Sequence, residues 1–194
     1  MWRWIVLSHS RWLRFELSEG GEAFDQVLMA LRKATGIVEF VFSTHDVVLV
    51  CLRLFMGSNP YSLRRSLREL ANAGVLIPKH REFWLEAVAL DDRWDEKVEE
   101  WNAYIAFEFP IARIQNLLWC AFATDFPGLR PNPHCSIYFI DLENRILVHP
   151  YDDRGMDIVG SNTVLLSKLY SRFNSLLLNY DRATMDETFK AANK

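Results

Sequence analysis

Cysteine is scarce in this 194-residue chain: Cys51, Cys120 and Cys135 are odd in number, widely spaced and without a Cys-x-x-Cys pair. That excludes a disulfide framework and a familiar four-ligand zinc site, and predicts reduced, buried thiols in a cytoplasmic protein. No uncharged apolar run reaches the roughly 18 residues that a membrane-spanning helix needs. The opening MWRWIVLSHSRW carries a short apolar run with no cleavage site after it, so it does not read as a secretory signal. Basic charge is also in deficit. A net charge of −3 at pH 7 argues against direct nucleic-acid binding, which normally needs a basic surface. There is no Gly-rich phosphate loop, no G-x-S-x-G elbow and no H-E-x-x-H pair. No cofactor, metal, membrane or small-molecule substrate is therefore expected. Repeats, low-complexity tracts and long linkers are missing too, so residues 1–194 read as a single globular domain.

What is present is core material. Half the residues are hydrophobic and 13% aromatic. A chain of this length can bury roughly 70% of its unfolded surface. Trp12 to Leu17 alternates Leu13, Phe15 and Leu17 with Arg14 and Glu16, the period of a half-buried strand. From Glu22 the apolar spacing lengthens to three and four residues, through Phe24, Val27, Leu28, Leu31, Ala34, Val38 and Phe42, which predicts an amphipathic helix. Val47 to Phe55 is nearly continuous and β-branched, and predicts a central strand covered on both faces. Asn59-Pro60 predicts a capped helix that ends at Gly74.

Tyr104 to Phe109 predicts another strand, and Pro110 a largely apolar, central helix through Asp125. Phe126 to Pro133 reads as an irregular connection. Cys135 to Ile140 and Arg145 to His149 form a hairpin, with Met156 to Gly160 as a third strand beside it. A long helix starts at Asn162 and runs towards Leu177, and Thr184 to Glu187 suggests a capping box for a tail helix. The expected fold is α/β (α+β): one sandwich of a mixed or antiparallel sheet with a late β-hairpin, packed by several amphipathic helices.

Two segments carry candidate chemistry. In YDDRGMD, Asp152, Asp153, Arg154, Gly155 and Asp157 read best as a turn latch. Aspartates would accept turn amides, Gly155 would supply positive φ, and Arg154 would pair with a carboxylate. The alternative is a hydrolase in which Asp152, Asp153 and Asp157 hold a divalent metal. His134-Cys135 and His149 lie on the two hairpin arms, but a nucleophilic cysteine also needs an orienting third group, and none is identifiable. Arg64, Arg65 and Arg68, with Lys79, His80 and Arg81, read as a solvated basic face.

The second segment is LDDRWDEKVEEW. On a helix, Asp91, Asp95 and Glu99 would form one acidic ridge and Asp92, Glu96 and Glu100 its neighbour. Trp84, Trp94 and Trp101 accompany them. Such a segment is either a solvated helix or a surface that steers and anchors a basic protein partner.

WLRFEL, YDDRGMD and LYSRFNSLLLNYDR resemble an uncharacterised bacterial domain family with LRFEL-, YDDRG- and DYDR-type motifs. The matching residues are Leu13 to Leu17, Tyr151 to Asp157 and Leu169 to Arg182, with Asn179 in place of the frequent aspartate. Residues 57 to 101 carry no part of the likeness. The family implies no reaction. At class level the chain is also similar to immunity proteins of contact-dependent growth inhibition systems, which neutralise basic nuclease toxins with acidic surfaces. That likeness implies an immunity or antitoxin protein with no catalytic residues, binding through Asp91, Asp92, Trp94, Asp95, Glu96, Glu99 and Glu100. A regulatory binding module is the other non-catalytic reading.

Overall fold

In the computed structural model, residues 11–57, 59–89, 92 and 99–190 are described. They form seven strands and five α-helices: β1 (Arg11–Glu16), α1 (Ala23–Val41), β2 (Val47–Gly57), α2 (Leu63–Asn72), β3 (Glu82–Ala87), β4 (Trp101–Pro110), α3 (Ile114–Phe122), β5 (Cys135–Asp141), β6 (Ile146–Asp152), β7 (Gly155–Gly160), α4 (Thr163–Arg172) and α5 (Arg182–Lys190). The strands make one sheet in the order β1-β7-β6-β5-β2-β4-β3. Every pair is antiparallel. The fold is α+β, and the sheet is purely antiparallel.

The helices lie against one face. Leu13 and Phe15 of β1, Val48, Val50, Leu52 and Leu54 of β2, and Phe107 and Phe109 of β4 are buried there with residues from all five helices. Alternation makes this possible, because every second side chain of a strand points to the same layer. On α1, buried Val27, Ala30, Ala34, Ile37, Val38 and Val41 recur at helical spacing and face the sheet and α3. The apolar α3 sits in the middle of this layer, against α1, β5 and β6. Burial of this many large side chains, at roughly 1.5–3 kcal/mol each, is the main driving force for the fold.

The other face is treated differently. Its apolar cluster, Cys51, Ala106 and Ile140 with Leu49, Trp84, Tyr104, Tyr138 and Leu147, comes from strands alone. The expectation that β2 is covered on both faces is thus corrected: helices cover one side, and Val47 and Phe55 are exposed. An antiparallel sheet tolerates this, since one face can remain solvated.

Local signals place several boundaries. The Asn59 side chain accepts from Tyr61 N at 3.0 Å, and Asn162 accepts from Leu165 N at 3.0 Å, so both asparagines cap the turns that follow. Gly74 ends α2 with φ +76°, and Val75 N donates back to Leu70 O at 2.8 Å. Two expectations fail late in the chain. The helix after Asn162 stops at Arg172, because Leu177 bridges Phe15 and Leu178 N donates to Arg14 O at 2.9 Å. The tail helix begins at Arg182, so Thr184 lies inside it and its carbonyl accepts from Thr188 Oγ1 instead of opening a capping box.

Candidate functional site

The YDDRG segment is the turn between β6 and β7. Asp152 Oδ1 accepts from Arg154 N at 2.9 Å and Gly155 N at 3.1 Å, and its Oδ2 accepts from Arg154 Nε at 3.1 Å. Asp153 is buried and accepts from Ser18 Oγ at 2.8 Å, which ties the turn to the end of β1. Burial raises its carboxyl pKa, and the Ser18 hydrogen bond opposes that rise. Leu17 N donates to Arg154 O at 2.8 Å and completes the attachment.

Asp157 points elsewhere. It accepts from Arg14 Nε at 2.8 Å and Nη2 at 3.0 Å, and Arg14 Nη1 donates to Asp181 at 2.9 Å. The Asp157 hydrogen bond is the main cause holding the Arg14 guanidinium above its ordinary pKa. The three aspartates therefore serve three different partners. Among the described residues no group of three or more His, Cys, Asp or Glu side chains could hold a metal ion.

Gly155 is needed for a reason other than the one its sequence context suggested. Its φ is not positive; a Cβ built there would lie 2.0 Å from the Tyr151 hydroxyl. Glycine leaves room for the Tyr151 ring, and a larger residue would have to displace that partly exposed side chain.

The sheet also separates the hairpin histidine from the hairpin cysteine. Cys135 faces the helix-covered core, where burial pushes its thiol well above the usual range. His149 shares the opposite face with Leu147, because side chains alternate along a strand. The two do not meet. His149 stacks on Tyr138 with centroids 4.5 Å apart and has Tyr151 at 5.9 Å. Its Nε2 is buried with no hydrogen-bond partner among the described residues, and desolvation lowers the ring pKa to about 4. A neutral imidazole in an aromatic row is what remains of that candidate.

The acidic segment connects β3 to β4 at the end of the sheet. Val88 N donates to Glu100 O at 2.8 Å and adds one contact to the hairpin. Asp92 and Glu99 are exposed, whereas Glu100 is buried. Glu99 and Glu100 are not helical, so the paired ridges do not extend to them. Asp91, Trp94, Asp95 and Glu96 lie outside the described residues.

Sequence reasoning missed β3 itself. EFWLEA is short, and its alternation of Glu82, Trp84 and Glu86 with Phe83, Leu85 and Ala87 was its only signal. Trp84 stacks on Tyr104 at 5.0 Å and 4°, and the Glu86 carboxylate lies near the Tyr104 hydroxyl. Desolvation and that carboxylate raise the Tyr104 pKa to about 12. Phe83 and Leu85, on the other side of the strand, are 53% and 45% exposed. The basic residues Arg64, Arg65, Arg68, Lys79, His80 and Arg81 are exposed as well. Arg64 lies over the Tyr61 ring at 4.7 Å.

Comparison with curated proteins and with solved structures finds no match. A family model does match, across residues 2–181 and hence through the strands and helices that frame both candidate segments. The chain belongs to that family, a domain of unknown function (DUF3885).

Proposed function

We propose that this protein is a non-catalytic binding protein of the immunity type, which neutralises a basic, nuclease-type toxin domain by docking at the β3–β4 end of its sheet. The observation that supports this reading most is the exposure of β3. Its burial pattern leaves Glu82, Phe83, Leu85, Glu86 and Ala87 all accessible. Apolar burial drives folding, so a strand that keeps Phe83 and Leu85 in solvent contributes little to its own sheet. Contiguous apolar side chains with a polar rim mark interaction sites. Acidic charge lies close by: Glu82 and Glu86 are on the opposite side of the strand, and Asp92 and Glu99 are on the connection that follows. Carboxylates would speed encounter with a basic partner, and the apolar pair would slow its departure.

The test is a titration against the toxin domain encoded by the adjacent gene. Reversing Asp92, Asp95, Glu96 and Glu99 to lysine should slow association and flatten its salt dependence, since such steering is screened over about 8 Å at physiological ionic strength. Phe83→Ser with Leu85→Ser should raise the dissociation rate about tenfold or more, equivalent to roughly 1.4 kcal/mol. Unchanged affinity in both variants would reject this docking face. Tight binding of a non-toxin product by the parent chain would favour a regulatory module instead.

A further inference from the structure

We infer that the groove between α4, α1 and the start of β1 binds a small phosphorylated molecule. The groove is shallow and open to solvent, with a volume of about 760 Å³, so a ligand there would be held by charge and not by enclosure. One wall is a stripe of α4: Val164, Ser167, Lys168, Ser171 and Arg172 recur at intervals of three and four, so they share one side of the helix. Leu166, Leu169 and Tyr170 occupy the opposite side and are buried. Phe40 of α1 and Arg11 of β1 complete the groove.

The charge in this groove is of one sign. Arg11, Lys168 and Arg172 line it, and among the described residues no carboxylate does. Among the described residues none of the three cations forms an ion pair with an acidic side chain. Lys168 and Arg172 are one helical turn apart, a spacing at which like charges repel. The guanidiniums are nevertheless held in place. Arg172 lies over Phe40 at 5.0 Å and Phe173 at 5.7 Å, and Arg11 lies over Phe189 at 6.0 Å. Cation–π contacts orient a guanidinium without neutralising it, and they leave its edge N–H donors available.

Thr163 and Ser167 add hydroxyl donors to the lining, while Ser171 Oγ donates to Ser167 O at 3.0 Å. Oriented cations with hydroxyls and no competing carboxylate suit a phosphate ester, whose oxygens accept several charge-assisted hydrogen bonds at once. This site lies on the helix layer and is independent of the docking face at β3.

Inorganic pyrophosphate is a sufficient probe. Titrated into the isotope-labelled chain, it should shift the backbone amides of residues 163–172 saturably. Lys168→Ala and Arg172→Ala should each weaken binding about tenfold, the loss expected for one charge-assisted contact. Both side chains are exposed, so amides elsewhere should stay in place and show that each variant is folded. Arg172→Lys keeps the charge but loses the planar stack, and should fall between parent and alanine. Non-saturable shifts, an equal response from the Lys168→Ala/Arg172→Ala double variant, or an equal response to sulfate would overturn the proposal. Binding to phosphatidic acid vesicles without a response to pyrophosphate would do the same.

Discussion

The two ends of the sheet are managed in opposite ways. At the β1 end the chain returns after α4, bridges Phe15 through Leu177, and fixes Arg14 between Asp157 and Asp181. Leu13 and Phe15 are fully buried, and α5 adds buried Met185 and Phe189 to the same core. At the β3 end, side chains are exposed on both faces of the strand. Edge strands are a liability that proteins usually cover, twist or charge. Here one end is covered and charge-locked, and the other keeps acidic side chains exposed on one side of its strand and apolar ones on the other. The first arrangement holds the fold together, and the second leaves its side chains in solvent.

The contrast is broken most strongly in the core of the closed end. Phe15→Ala should destabilise the protein by about 3–5 kcal/mol, as large-to-small changes of a fully buried aromatic do. Chemical denaturation measures this directly, and a loss below about 1 kcal/mol would mean that the β1 end is not integral to the cooperative unit.

The next effect is set by pH. Desolvation lowers His149 from 6.5 to about 4, so the native state prefers the neutral ring. Between those values the unfolded chain binds more protons than the folded one. The cost of protonating the buried ring, about 3 kcal/mol, is therefore absent above pH 6.5, grows as the pH drops towards 4, and is complete below it, so stability falls over that window. Denaturation curves of parent and His149→Phe from pH 4 to 7 should run close together near pH 7 and separate as the pH falls, with the parent losing the more stability. Parallel curves would show that the ring is hydrated in the native state.

The ion-pair lock is worth less. Arg14 is partly exposed, so solvent weakens its pairs with Asp157 and Asp181. Asp157→Asn should cost about 1–2 kcal/mol, through the lost bidentate contact. Thermal unfolding and amide exchange near residues 177–181 would report it, with faster exchange expected there than at β4. The smallest effect belongs to the open end: Phe83→Ser should change stability by no more than about 0.5 kcal/mol, because the ring is mostly in solvent. A loss comparable to that of Phe15→Ala would show that β3 supports the fold after all.

Much of this architecture is legible in the order of residues, because local patterns and their local causes coincide. Alternation at Leu13, Phe15 and Leu17, helical spacing through Val27, Ala34 and Val38, and the asparagines before α2 and α4 act over a few residues and appear as expected. Phe24 and Leu28 of the expected helix stripe are exposed, because the buried side runs through Ala30, Ile37 and Val41 instead. Tertiary structure decided the rest. β3 has too little apolar alternation to declare itself and exists through its pairing with β4. The helix after Asn162 is cut short by pairing at Phe15 and Arg14, residues far away in the chain. Cys135 and His149 look like neighbours on two hairpin arms, yet strand register sends them to opposite faces. Gly155 answers to the Tyr151 hydroxyl, and Asp157 to Arg14 across the sheet. Sequence determined the period, caps and core composition, since these depend on nearest neighbours. Which face each side chain meets, and which edge stays open, depended on contacts between segments that only the folded chain brings together.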